Sequence, residues 1–149
     1  MSHRENPIAI QLYTVRAPAS QDFPGTLRKL AAGGAKAVEF AGYGGMEIPE
    51  LKALLQELGL RVSGAHIPVP MWENNTEQSL ADLKALGGEY AVVPWVPEER
   101  RNSLEAARIL AASLDVWGSA ARHAGLGFAY HHHAFEFDPL PDGNGATLF

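Results

Sequence analysis

There is no cysteine among the 149 residues. Disulfide staples and thiolate metal sites are therefore excluded, which accords with a cytoplasmic setting. No apolar run reaches the roughly 20 residues needed to span a bilayer, and Met1–Pro7 lacks the apolar core of a secretory leader. No membrane partner is expected. There is no basic run either, and the formal net charge is −5. A polyanionic backbone would be repelled, so nucleic acid is not the expected partner. Charged residues make up only 19% and hydrophobic residues 46%, the balance of a globular chain. At this length a single domain with a substantial core is expected. With thiolates excluded, a metal would have to be held by His, Asp or Glu, a donor set that suits Mn, Mg, Zn, Co or Fe.

What the chain does have is a repeated pattern of helix, glycine, short apolar strand and loop. Gly34, Gly59, Gly88 and Gly125 each precede an apolar run, at spacings of about 25–37 residues, the size of a βα unit. Strands are expected near 8–13, 36–40, 61–66, 90–95 and 127–133. Between them, the spacing of leucine and alanine predicts four covering helices. Asp22, with Pro24 in the first turn, starts the first. Pro49 opens the second, Thr76 caps the third and Ser103 caps the longest. Thr14 to Gln21 and Ile67 to Asn75 read as loops. The last residues, Gly145 to Phe149, read as the opening of a fifth helix. Near-continuous apolar strands alternating with helices imply a parallel sheet. Right-handed crossovers then put every strand-to-helix loop at its carboxyl end.

Polar side chains collect at that end. Strand one delivers Tyr13 and Arg16, strand two Glu39, strand three His66, strand four Trp95, and strand five His131 and His133, with Glu136 just beyond. Side chains alternate across a strand. His131 and His133 therefore share one face with Ala129, and His132 points away. The same parity puts Gln11, Ala37 and Gly64 inside. Small residues beneath a polar top layer suit a barrel interior with a substrate cup, where reacting groups of (βα) barrels sit. Each residue also has a plainer reading. Glu39 is placed to pair with Arg16 as a structural bridge, Trp95 to serve as packing, and His66 as a satisfied loop histidine. The three histidines alone suit a surface tract.

Four segments together resemble the xylose isomerase-like TIM-barrel superfamily, in its sugar phosphate isomerase/epimerase branch. They are Gln11-Leu-Tyr-Thr-Val-Arg16, Val38-Glu-Phe-Ala-Gly42, Gly59-Leu-Arg-Val-Ser-Gly-Ala-His66 and Tyr130-His-His-His-Ala-Phe-Glu-Phe137. The last is similar to that branch's Tyr-His-Asn-His-x-x-Glu-Phe element, with His132 where Asn is usual. The resemblance implies a barrel of eight strands, a divalent metal (Mn, Mg, Zn or Co) and proton movement beside the carbonyl of a sugar or related polyol. It makes His131 the metal-ligand candidate. Glu39, Glu136 and His133 are the catalytic candidates, and Tyr13, Arg16, His66 and Trp95 the substrate-binding ones. The family draws its metal ligands from the ends of strands five to eight, and only strand five has a counterpart here. The chain therefore reads as a partial (βα) barrel of about five parallel strands and four helices, cut a little past its middle. Such a piece is expected to be inactive alone, to bind metal weakly and to self-associate, most simply as a homodimer. A non-catalytic, self-associating half-barrel is the alternative. Phosphoester hydrolysis on damaged DNA, known from related barrels, fits the acidic balance poorly.

Overall fold

A computed structural model describes residues 8–149; the leader reading at Met1–Pro7 lies outside the described residues. Five strands, β1 (Ala9–Gln11), β2 (Ala37–Phe40), β3 (Arg61–His66), β4 (Tyr90–Val93) and β5 (Gly127–Tyr130), form one sheet in the order β1-β2-β3-β4-β5. All four pairings are parallel. Sequential order with helical crossovers is the topology of consecutive βα units winding in one direction. The expected partial barrel is thus the observed one.

Among the described residues six α-helices accompany the strands: α1 (Arg16–Gln21), α2 (Phe23–Ala32), α3 (Ile48–Leu58), α4 (Val69–Asn74), α5 (Thr76–Ala85) and α6 (Leu104–His123). The four expected covering helices are α2, α3, α5 and α6. Their starts follow the sequence in three cases: Gly25 N–H donates to Asp22 Oδ1, Ala106 N–H donates to Ser103 Oγ, and Pro49 sits in the first turn of α3. Thr76 is the exception. Asn75 holds the cap position of α5, and the Thr76 hydroxyl instead donates to the Trp72 carbonyl. Gly59 ends α3 at φ 64°, a left-handed conformation that costs glycine least.

The two stretches read as loops contain the extra helices. A 3₁₀ turn (Leu12–Val15) runs into α1, and α4 fills the β3–α5 connection. Trp72 explains why α4 is helical. Its ring is buried, stacked on Trp117 of α6 at 5.9 Å and edge-on to Phe128 of β5 at 5.5 Å. Burying so large an aromatic outweighs the weak helix signal of a segment containing two prolines.

One face of the sheet carries the core. Val38, Phe40, Val62, Ala65, Ala91 and Val93 are buried against the helices. Val62 and Ala65 lie an odd number of residues apart yet face the same way, because the β2–β3 register shifts there. Ser63 is the extra residue of this bulge, and its hydroxyl donates to the Val38 carbonyl. The bulge is what turns Gly64 and His66 inward with Gln11 and Glu39.

The C-terminal stretch departs from expectation. Gly145–Phe149 does not open a helix. It folds back, with Leu148 N–H donating to the Glu136 carbonyl and Phe149 packing edge-on to Tyr130 at 4.9 Å. Asp142 takes the N–H of Leu104 at 2.8 Å, adding a second acceptor to the start of α6. The turn at 141–145 thus competes successfully with the helix that Ala-Thr-Leu suggests.

Candidate active site

At the carboxyl end of the sheet lies an open cleft of about 550 Å³. Gln11, His66 and His131 form its floor, and Tyr13, Trp95 and His133 stand on its sides. Five strand ends contribute to this neighbourhood, as parallel winding dictates.

The floor is organised by Gln11. Its carbonyl oxygen accepts the N–H of Tyr13 at 2.6 Å, which fixes the orientation of the amide. The amide nitrogen then faces Glu39 Oε1 at 2.7 Å and His66 Nε2 at 3.1 Å. His66 Nε2 is 3.2 Å from the same carboxylate oxygen. The hydrogen bond from His66 holds the Glu39 carboxyl below its ordinary range. Partial burial opposes this, and the Gln11 amide and the nearby imidazoles reinforce it. Glu39 is therefore a carboxylate at neutral pH. Arg16 is not its partner. The guanidinium sits 4.4 Å over the Tyr13 ring and donates to the Tyr13 carbonyl, outside the cleft.

The histidines arrive from a strand shorter than expected. β5 ends at Tyr130, although His131 N–H continues the ladder to Val93 O at 2.9 Å. The chain then turns because Glu136, at the end of a 3₁₀ turn (Ala134–Phe137), reaches back to the His133 N–H at 2.6 Å. Despite the shorter strand, the His131 ring lies 4.9 Å from that of His133 and 5.2 Å from that of His66. Partial burial, together with the neighbouring His66 and His133, pushes the His131 pKa down. His132 points away, onto Phe137.

Glu136 is 0% exposed. Burial works against its charge, but the His133 N–H, the Tyr130 hydroxyl at 3.0 Å and its own backbone N–H outweigh that and leave its pKa lowered. Its oxygens face the turn rather than the cleft, so it holds His133 in place. Tyr130 feels the converse. Its own burial and then the Glu136 carboxylate raise its pKa.

The structure thus brings His66, His131, His133, Tyr13 and Trp95 to the cleft, with Glu39 bonded to its floor residues Gln11 and His66, and leaves Arg16 and Glu136 outside it. Gln11, the hub of the floor, was read only as an inward-facing position. Its signal was an amide at a strand end with the parity of Glu39, but only the register Gln11↔Glu39 reveals the contact. Among the described residues no three His, Cys, Asp or Glu side chains converge as a metal shell. Glu39 and His66 bond to each other and to Gln11, and Glu136 is saturated. These residues do not by themselves fit a divalent ion.

No protein-family model matches the chain, and no curated protein matches it. Solved structures do. A sugar phosphate isomerase/epimerase from Parabacteroides distasonis superposes with a TM-score of 0.79 at 22% identity, covering 99% of this chain and 61% of that one. A second sugar phosphate isomerase/epimerase structure from the same organism gives 0.76 at 21%, covering 90% and 57%. A Sinorhizobium meliloti protein gives 0.64 at 16%, covering 84% and 50%. At these identities the likeness is one of fold. The chain has the fold of a partial barrel of this kind and spans about 50–61% of the length of those chains. Among the described residues no helix is long and apolar enough to cross a membrane.

Proposed function

We propose that the cleft binds a small sugar or polyol and that Glu39 and His66 carry proton transfer in its isomerisation or epimerisation. The carrying observation is the Gln11–Glu39–His66 cluster, whose Gln11 and His66 line a cleft at the carboxyl end of a parallel sheet. An ionised Glu39 can take the proton from the carbon beside a carbonyl. The electron pair left behind forms the enediol C=C bond, and the carbonyl oxygen accepts a proton from an imidazole. Protonation of the former carbonyl carbon by Glu39 isomerises the sugar, and protonation of the original carbon from the opposite face by a second acid, such as His133, epimerises it; in either case an enediol hydroxyl gives its proton back to the imidazole as the carbonyl re-forms. In the resting state the His66 bond makes Glu39 a weak base. A substrate hydroxyl that displaces His66 removes that bond and raises its basicity at the moment of use. Trp95 offers an apolar platform, Tyr13 a hydroxyl and His133 a second proton carrier. Glu136 acts through His133, and Arg16 through the ring of Tyr13.

The divalent metal expected from the resemblance has no complete shell among these residues, so no step is assigned to it. For the same reason, activity of the chain alone should be undetectable or very low. The test is incubation in D₂O with a panel of aldoses, ketoses and inositols, with and without Mn²⁺, followed by NMR for solvent deuterium beside the carbonyl. Slow exchange lost in Glu39→Gln supports the reading. Exchange that persists in Glu39→Gln, or failure of every panel compound to perturb the amides of Gln11, Glu39 and His66, overturns it.

A second reading, self-association, rests on a different observation. β1 and β5 are the outer strands of the sheet, and Tyr90, on the inner face, is 52% exposed.

A further inference from the structure

Beside the cleft lies a second chamber of about 440 Å³. The two share Pro68, Pro94 and Trp95 as a common wall. Both volumes fall within the roughly 300–1,000 Å³ of small-molecule sites, so the pair is larger than a single small sugar requires. The chambers differ in chemistry. The first has a polar floor of one amide and imidazoles, with the Glu39 carboxylate bonded to Gln11 and His66. The second is lined by the carbon of Val69, Pro70 and Pro97, and its polar members are Glu73 and Arg100. That pair forms a salt bridge, Arg100 Nη2 to Glu73 Oε1 at 2.5 Å. Among the described residues, Trp95, 49% exposed, is the only aromatic side chain lining both chambers.

We infer that the second chamber is a subsite for an apolar-faced ring attached to the sugar, so that the ligand is an aryl glycoside or similar conjugate rather than a free monosaccharide. This rests on the sugar-binding reading of the first chamber. The argument is one of continuity and complementarity. A ligand held by its hydroxyls on the Gln11–Glu39–His66 floor has Trp95 beside it. A substituent passing that indole enters a space walled by pyrrolidine rings and a valine. Flat apolar rings stack on Trp and Pro surfaces without needing hydrogen-bond partners, and burying their area is favourable. A second fully hydroxylated ring would find partners only at the Glu73–Arg100 end and would leave its other hydroxyls facing carbon. The walls are also preorganised. Proline fixes its own backbone φ, and Val69 is buried at the start of α4, so little side-chain freedom is lost on binding.

The experiment compares D-glucose, D-galactose, and their methyl and phenyl β-glycosides by titration against the ¹⁵N-labelled chain. The phenyl glycosides should bind about tenfold tighter than the methyl glycosides and perturb Val69, Trp95 and Arg100 in addition to the floor. Pro70→Asp, which sets a charge on the apolar rim of the second chamber, should remove that gain. Circular dichroism confirms that the variant folds, and Pro97→Asp is the alternative variant. Equal affinities for methyl and phenyl glycosides, or a gain untouched by both variants, overturn the subsite alone. If none of the compounds binds, the sugar-binding reading falls and the subsite with it.

Discussion

Glu39 and Glu136 show how two carboxylates from one sequence acquire different work. Both have depressed pKa values, and in both burial opposes the charge. Glu136 is sealed in and saturated by N–H and O–H donors, while the Glu39 side chain keeps 28% of its surface exposed. Removing the Glu136 charge should therefore cost the fold more. Glu136→Gln turns an amide N–H toward the His133 N–H or the Tyr130 hydroxyl and leaves a buried donor unpaired. The expected loss is about 2–3 kcal/mol, against under about 1 kcal/mol for Glu39→Gln, whose amide oxygen still accepts from Gln11. The pH dependence has a definite sign. A carboxyl whose folded pKa lies below its unfolded value near 4.5 stabilises fully above that value, and the contribution is lost as pH falls through the folded pKa. Urea unfolding at pH 7 and at pH 3 checks both statements. The wild type should lose stability on acidification, and Glu136→Gln should lose distinctly less.

At the scale of the element, β3 and its bulge decide whether the floor exists. A Cβ on Gly64 would stand 2.6 Å from the Tyr90 carbonyl oxygen, a backbone atom of β4. Gly64→Ala must push the two strands apart, which should cost about 2–3 kcal/mol and displace His66 two residues on. Gly127 supplies the contrast. Its added Cβ would meet the Tyr90 ring at 2.5 Å, but that ring is half-exposed and can swing away. Gly127→Ala should cost under about 1 kcal/mol. Thermal melts of the two variants, with the His66 ring NMR signals as reporter of the floor, test the difference. Similar losses for both would show that the β3–β4 approach is not tight.

For the whole molecule the controlling fact is a five-stranded sheet with two outer strands and a partly uncovered inner face. Strand edges present unpaired backbone groups, and exposed apolar side chains favour association. We expect a second copy of this chain to cover Tyr90 and the inner face, giving a dimer or larger assembly. Sedimentation at increasing concentration should show it, and Tyr90→Lys should shift the equilibrium toward monomer. A monodisperse monomer at high concentration would remove self-association from the proposal.

The sequence alone determined the number, order and direction of the strands, the four covering helices and the caps at Asp22 and Ser103. Those are local properties: an apolar run of strand length, a 3.6-residue period, an oxygen three residues before an N–H. It also brought Glu39, His66, His131 and Trp95 to one end, because parallel crossovers leave no other choice. Tertiary structure decided the rest. Whether Arg16 or His66 would bond to Glu39 depended on strand register, and the register favoured Gln11 and His66. Whether Glu136 would face substrate or core depended on the turn after Tyr130, which its own carboxylate closes. The helix α4 exists because Trp72 finds Trp117, 45 residues away, and Leu148 and Phe149 fold back onto Glu136 and Tyr130. The shared wall at Trp95 joins two loops that are separate in sequence and meet only because β3 and β4 are neighbours. Contacts between distant segments carry no period and no spacing in the chain, so they become legible only when the packing that selects them is in place.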